Sequence, residues 1–356
     1  MKKIFSIVTV IALIITLSAC TKDTHRFYIS AMDTIIEAEV RDTKKNANKN
    51  IKVIEDIYLT YHHLTDNFRD LPIDSAFKTN IYAINKRPGE KIEIDFELYE
   101  ILAKAEEYRI LTDGYFDVSI GKIIDVWKEV IQSEDWLEGN DITEAEWEEL
   151  VRKIDEIEVQ ENAYTLFHED GKYYIKLKND QVKLDLGAFA KGYATQKAYE
   201  YLEKNKVKNF IIVAGGSSIY LGENAKSEDK QFPVGLINPN RQKNDGRLYG
   251  EIKVKNNSIT SSGNNEQFFM YGDIKYHHLI STKTKYPMHY YHSLTMVTKD
   301  AGFADAITTA IFSMSPEFLE SWVERVRETY DFEIIIFNYD NTIDTRYMVD
   351  TEFELR

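Results

Sequence analysis

A single cysteine, Cys20, in a chain of 356 residues means that packing and hydrogen bonding must hold the fold together. A lone thiol excludes an intramolecular disulfide, a two-cysteine metal site and a CxxC redox pair. Its position says more. Met1-Lys2-Lys3 leads into a stretch from Ile4 to Ala19 that is apolar apart from Ser6, Thr9, Thr16 and Ser18. A short basic start, an apolar run and small residues at its end have the form of a secretory signal. The run is about sixteen residues, short of the ~20 that span a bilayer. Leu17-Ser18-Ala19-Cys20 looks like a lipobox, in which Cys20 becomes the lipidated first residue after cleavage. The expectation is a lipoprotein signal peptide over residues 1–19, a lipidated Cys20 with a short tether over residues 20–26, and a domain over residues 27–356. That domain is expected at the extracytoplasmic face of the bacterial cell membrane.

The formal net charge is −15 and becomes more negative once Lys2 and Lys3 leave. Nucleic-acid binding relies on Lys and Arg neutralising phosphates, so no nucleic-acid partner is expected. An anionic membrane surface would also repel the chain, which leaves anchoring to the lipid. The apolar fraction of 43 %, with 23 Tyr and 18 Phe, is enough for a sizeable core.

The patterning predicts one α+β domain. Thr34 to Val40 alternates as a half-buried strand. Lys49 to Leu64 and Glu97 to Leu111 carry apolar residues at helical spacing, the second closed by Thr112-Asp113-Gly114. An acidic helix without a special role is expected over Ala145 to Ile154. Tyr173 to Leu177 and Val182 to Leu186 read as a hairpin around Lys178-Asn179-Asp180. A helix over Thr195 to Lys204, strands at Asn209–Ala214, Val234–Ile237 and Glu251–Val254, and a late helix over Phe303 to Met314 complete the reading.

Chemistry gathers at a few turns. In Leu184 to Ala194, a strand end is followed by small residues and a helix start. Small residues let a ligand approach the backbone, free helix N–H groups attract an anion, and Lys191 adds a cation. A pyrophosphate cradle fits this stretch, and so does an ordinary strand–helix turn with a surface lysine. Asp305 and Thr309 stand four apart in the late helix and share a face. Hard oxygens of this kind suit Mg²⁺; an Asp bonded to a neighbouring Thr suits the spacing as well. His277 and His278 are adjacent on a predicted strand, so at most one faces any site. A single His there serves either as a general base or as a structural residue. Val213 to Ser217 and Gly114 to Asp117 offer further places where backbone or aromatic rings meet a ligand. GxGxxG, P-loop, HExxH and GxSxG patterns are absent.

Taken in order, these stretches resemble the ApbE family of FAD:protein FMN transferases. Met32-Asp33-Thr34 looks like the family's Met-Gly-Thr. Gly114-Tyr115-Phe116-Asp117, with Gly121 and Trp127, looks like its Gly-x-Phe-Asp segment and following Trp. Asp185 to Ala194 is close to its most characteristic motif. Gly215-Gly216, Val234 to Pro239, Ser261 to Asn264, His278-Leu279-Ile280 with Thr284 and Pro287, and Ala304-Asp305-Ala306 with Thr309 complete the series. The resemblance implies a single ApbE-like, T-fold-related α+β domain with mixed or antiparallel sheets and packed helices. It implies Mg²⁺ ligands at Ala188 (carbonyl), Asp305, Thr308 (carbonyl) and Thr309. It also implies contacts to the substrate FAD from Met32, Phe68, Tyr115, Phe116, Asp117, Asp185, Lys191 and Ile280, with Phe68 where many members have Tyr. The implied reaction moves FMN to a Thr or Ser hydroxyl of an extracytoplasmic flavoprotein and releases AMP, with His278 as candidate base.

Three departures from the family pattern stand out. Asp33 replaces a Gly, Ser281-Thr282 replaces Asp-Pro, and Lys285 replaces a second Gly. The Asp-Pro change adjoins His278 and bears on how that ring is held. FAD and Mg²⁺ binding are expected to survive these changes. Two other functions remain open on sequence: an FAD pyrophosphatase that uses water as acceptor, and a non-catalytic flavin-binding lipoprotein. A solute-binding protein would leave the Asp305/Thr309 pairing unexplained.

Overall fold

The computed structural model describes residues 22–133, 142–240 and 248–356; the signal segment and Cys20 lie outside them. An eight-stranded antiparallel sheet dominates. Its strands are β1 (Asp23–Ala31), β2 (Thr34–Asp42), β6 (Phe210–Ala214), β7 (Ser218–Leu221), β10 (Asn257–Gly263), β13 (Tyr291–Thr298), β14 (Phe332–Asn338) and β15 (Ile343–Asp344), side by side in that order. Residues 23–26, expected as part of a tether, lie within β1. Residues 23–26 already pair with β2, Asp23 against Asp42, and Arg26 forms an ion pair with Glu37 at 3.0 Å.

Three helices cover one face of this sheet: α1 (Lys44–Thr65), α6 (Ala190–Lys204) and α7 (Ala301–Ile311). The Thr43 hydroxyl caps α1 by accepting from Asn46 N–H, one of the donors a helix start leaves unpaired. Ile51, Ile54, Tyr58, Tyr61 and Leu64 then form its buried stripe. Tyr58 and Thr195 share a buried hydroxyl–hydroxyl hydrogen bond of 2.6 Å that ties α1 to α6. Helix α7 lies beneath the others and is apolar on nearly every side, as a helix enclosed all round must be.

The opposite face is covered by β8 (Phe232–Ile237), β9 (Leu248–Val254) and β16 (Phe353–Leu355), a small antiparallel sheet. Leu236, Tyr249 and Ile252 meet Ile259, Val297 and Phe337 there. Strand β13 therefore has no solvent face, and all eight of its residues are buried. Two peripheral units complete the domain. One is the sheet of β3 (Ile92–Ile94), β4 (Tyr164–Glu169) and β5 (Lys172–Leu177), joined by α2 (Ile81–Asn85) and α3 (Phe96–Leu111). The other sets α4 (Gly121–Ile131) and α5 (Glu144–Asp155) against the hairpin of β11 (Phe268–Tyr271) and β12 (Ile274–His277), around Trp127 and Phe269. Helix α8 (Pro316–Val326) links α7 to β14. Among the described residues no helix is long and apolar enough to cross a membrane.

The expected α+β class is the observed one, with every strand pair antiparallel. One expected hairpin is not found. Val182–Leu186 does not pair with β5, whose partners are β3 and β4. Its alternating residues Val182, Leu184 and Leu186 are buried as predicted, but its backbone bonds elsewhere. Asp185 N–H donates to Val118 O at 2.8 Å, and Leu184 exchanges hydrogen bonds with the Asn85 side chain. Periodicity reports burial, which an extended segment satisfies without joining a sheet. The helix that follows begins at Ala190, five residues before the expected Thr195, which places Lys191 in its first turn.

Candidate active site

The turn between β1 and β2 consists of Met32 and Asp33, both left-handed with φ of 56° and 55°. Two positive φ values in a two-residue hairpin make a type I′ turn, which strongly favours Gly, Asn or Asp. Asp33 therefore satisfies the geometry that a Gly would. His62 on α1 fixes the turn, its Nδ1 accepting from Met32 N–H at 3.1 Å. Met32, His62, Asn67 and Phe68 form part of the wall of a cleft of about 140 Å³; Asp33, Asp66, Lys128, Asp185 and Lys191 contribute its charged groups.

Asp185 is 6 % exposed. Its Oδ1 accepts from Gly187 N–H at 2.7 Å and its Oδ2 from Lys128 Nζ at 3.0 Å. Burial works against the carboxylate, but Lys128 and the Gly187 amide outweigh it, and its pKa falls below the ordinary value. Phe68, half-exposed at 54 %, presents its ring to the cleft with Lys128 Nζ at 5.3 Å and Lys183 Nζ at 5.9 Å from the ring centre.

Behind the cleft, α6 touches α7. Gly192 N–H donates to Asp305 Oδ2 at 2.6 Å. That N–H belongs to the first turn of α6, where a helix start leaves its donors without an intrahelical partner, and the Asp305 carboxylate fills that place. Burial raises the pKa of Asp305, opposed by Lys191, the Gly192 amide and the hydroxyls of Ser218 and Thr260. Both of those buried hydroxyls lack a partner within hydrogen-bonding geometry. Thr308 and Thr309 hydroxyls bond back to helix carbonyls, Thr308 to Ala304 at 2.8 Å and Thr309 to Asp305 at 3.1 Å; the Thr308 carbonyl accepts from Phe312 N–H at 3.2 Å.

No cluster of three or more His, Cys, Asp or Glu in metal-binding geometry occurs among the described residues. The groups that do converge are hard oxygens: the Asp305 carboxylate and the buried, unpartnered hydroxyls of Ser218 and Thr260. That set fits a magnesium ion, which needs only one or two carboxylates when substrate phosphates and water complete its shell.

His277 and His278 divide as alternation requires. His277 is fully buried; its Nδ1 accepts from Leu279 N–H at 3.2 Å, so Nε2–H donates to Met288 O at 3.0 Å. Both nitrogens are committed. His278 lies half-buried just beyond β12, with Nδ1 3.3 Å from Gln267 O. A proton on Nδ1 satisfies that carbonyl and leaves the Nε2 lone pair free. Crowding by protein atoms pushes its pKa down to about 4, with Lys191 and Lys128 adding to the effect, so the ring is neutral at pH 7.

Of the predicted FAD contacts, Met32, Phe68, Asp185 and Lys191 line the cleft. Tyr115 lies instead against Phe318 with ring centres 4.9 Å apart. Phe116 is a core residue, 3 % exposed and edge-on to Phe189. Asp117 accepts from Ser119 N–H at 2.8 Å, and burial raises its pKa against that bond. Ile280 is buried in the α4–α5 cluster. Sequence reasoning missed His62, Asn67 and Lys128. His62 and Lys128 read as polar positions on amphipathic helices, and Asn67 as a helix-end residue. Nothing in spacing marks them.

The substituted loop is well made. Ser281 Oγ accepts from Lys283 N–H at 3.2 Å and Thr284 N–H at 3.4 Å, the turn-closing task a short Asp side chain performs. Thr282 donates to Gly114 O at 2.5 Å. Lys285 takes a left-handed φ of 66°, its carbonyl accepts from Trp127 Nε1 at 2.9 Å, and its ammonium reaches Ile154 O at the end of α5 at 3.2 Å. None of these contacts involves the His278 ring.

These features define an α+β protein with a cleft of mixed charge set in front of a buried carboxylate. The chain belongs to the ApbE family, whose sequence pattern matches residues 32–334. It is 24 % identical to the FAD:protein FMN transferase of Haemophilus influenzae over 320 residues, covering 89 % of each chain. A second relative of the same name, from Klebsiella pneumoniae, is 22 % identical, covering 79 % of this chain and 81 % of its own. The ApbE protein of Thermotoga maritima superposes with a TM-score of 0.72 at 22 % identity, covering 91 % of this chain and 97 % of its own. The flavin transferase ApbE of Vibrio cholerae superposes at 0.68 and 17 % identity, covering 91 % and 96 %.

Proposed function

We propose that this chain is an FAD:protein FMN transferase that attaches FMN to a Thr or Ser hydroxyl of an extracytoplasmic flavoprotein, releases AMP and requires Mg²⁺. The observation that carries the reading is the link from Lys191 through Gly192 to Asp305, which sets a cation and a helix start at the cleft with a buried carboxylate behind them. Lys191, in the first turn of α6, would bind the diphosphate, with the positive end of the helix dipole behind it. Phe68 offers a face on which the isoalloxazine stacks. Ala188, Asp305, Thr308 and Thr309 would hold the metal. Bound magnesium supplies Lewis-acid neutralisation of phosphate charge. The neutral His278, with Nε2 free, would take the proton from the attacking hydroxyl. Positioning and electrostatics would then supply most of the rate, as in phosphoryl transfer generally. The basic start, apolar run and Leu-Ser-Ala-Cys of residues 1–20 support export and lipid anchoring at Cys20, which would keep the enzyme beside membrane-bound acceptors.

The test is incubation of the protein with FAD, MgCl₂ and a candidate extracytoplasmic flavoprotein, followed by mass spectrometry. A covalent FMN adduct that disappears in Asp305→Ala is the expected result. AMP release with no adduct would establish a pyrophosphatase instead, and an adduct persisting in Asp305→Ala would overturn the metal assignment.

A further inference from the structure

Lys128 is a cation of the cleft that no part of the proposed reaction explains. It projects from α4, a different helix from the one that carries Lys191, and its side chain is 30 % exposed against 5 % for its partner Asp185. Its ammonium touches two things: the Asp185 carboxylate at 3.0 Å and the zone over the exposed Phe68 ring, 5.3 Å from its centre. Lys183, the second cation near that ring, is already committed to Asp125. Lys128 has no other carboxylate partner among the described residues, and it lines the cleft with Asp185 and Phe68.

A donor and an acceptor side by side at the edge of an aromatic platform match one part of a flavin. The pyrimidine edge of isoalloxazine carries an imide N–H flanked by two carbonyl oxygens. A ring lying on Phe68 can give its N–H to a carboxylate and take an N–H from an ammonium next to it. An ammonium needs an acceptor and a carboxylate needs a donor, so the pair reads C=O beside N–H and fits neither a phosphate nor a hydrocarbon surface. We infer that Lys128 is a specificity-determining residue that donates to a carbonyl of the flavin pyrimidine ring while Asp185 accepts from the adjacent N–H. This rests on the reading of the cleft as a flavin site.

The pair also explains why a buried carboxylate is tolerated here. Removing one partner of a buried ion pair leaves the other uncompensated, so Lys128→Met alone could act by unsettling Asp185. The test therefore uses Lys128→Met, Lys128→Arg and the double variant Lys128→Met/Asp185→Asn, each checked for folding by circular dichroism. Riboflavin, FAD and ADP are titrated into each, and the carbonyl stretch of bound flavin is followed by Raman spectroscopy. The expected result is that Lys128→Met and the double variant bind riboflavin and FAD about tenfold more weakly, a loss of one charged hydrogen bond. ADP affinity stays constant, Lys128→Arg restores most of the loss, and the flavin carbonyl stretch rises in frequency when the ammonium is gone. Equal weakening of FAD and ADP with riboflavin untouched would assign Lys128 to the diphosphate and overturn the inference. Unchanged affinities would reduce the pair to a structural one. A wild-type protein that binds ADP but neither flavin would sink the flavin reading of the cleft itself, a result distinct from failure of Lys128 alone.

Discussion

Gly192 and Asp305 meet at 2.6 Å, the backbone N–H of one helix bonded to the carboxylate of another 113 residues away. The contact needs the helices closer than any side chain permits. A Cβ on Gly192 would lie 2.3 Å from Ala301 O and 2.6 Å from Asp305 Cγ, distances that only movement of α6 away from α7 would relieve. The same approach lets the carboxylate pair with a first-turn amide that α6 leaves without a partner. The packing of the two helices and the holding of Asp305 are thus one feature.

Gly192→Ala should cost about 2–3 kcal/mol, the upper part of the usual range for overpacking a close-packed interior. Urea unfolding checks it. A loss under about 0.5 kcal/mol would show that the helices separate freely, contrary to the close-packed contact described.

The two adjacent histidines predict an acid-sensitive fold. Burial lowers His277 to about 3 and His278 to about 4, against 6.5 for the free imidazole. Below pH 6.5 the unfolded chain takes up protons that the folded chain refuses, so unfolding becomes easier as pH falls from 6.5 toward 4. Below the folded pKa values the effect saturates. Unfolding midpoints measured from pH 7 to pH 4 should fall steadily, and His277→Asn should flatten the slope. An unchanged slope in that variant would mean that other groups carry the effect.

At Lys285, two effects oppose each other. The left-handed φ of 66° costs a non-glycine residue about 1 kcal/mol or more, while the ammonium caps α5 through Ile154 O, a contribution of about 1 kcal/mol. Lys285→Gly should be close to neutral, and Lys285→Ala, which keeps the strain and loses the cap, should lose about 1 kcal/mol. Paired thermal melts decide the matter; identical melting temperatures would remove the backbone from the argument.

Asp33→Gly at the type I′ turn should raise stability by about 0.5–1 kcal/mol by removing the left-handed cost. Among the described residues the only ion pair given up is Asp33–Arg69 at 3.6 Å, exposed on both sides and worth little. A destabilised Asp33→Gly would reveal a further task for that carboxylate.

How much was legible beforehand follows the range of the interactions. The Asp185 to Ala194 turn and the Asp305/Thr309 pair were visible because their chemistry is packed into a few consecutive residues. The α1 stripe was visible because burial imposes a period of 3.6. His62, Asn67 and Lys128 were not, since each matters only after the β1–β2 turn and α4 close around Asp185. The false hairpin at Val182–Leu186 shows the same limit. Alternation recorded that one side of the segment is buried, but not that its hydrogen bonds run to Val118 and Asn85. For Phe116 the motif implies a ligand contact, and the structure places its ring in the core.

The strand order has a temporal consequence. β2 pairs with β6, and β13 is inserted between β10 and β14, so neighbours in the central sheet come from distant parts of the chain. Such long-range pairing folds slowly, because loop closure must precede the contacts that reward it. Until α7 arrives after β13, the turn at Lys191 lacks the Asp305 carboxylate behind it. A chain still being made therefore has only half of this candidate site, and the other half waits for the last third of the polypeptide.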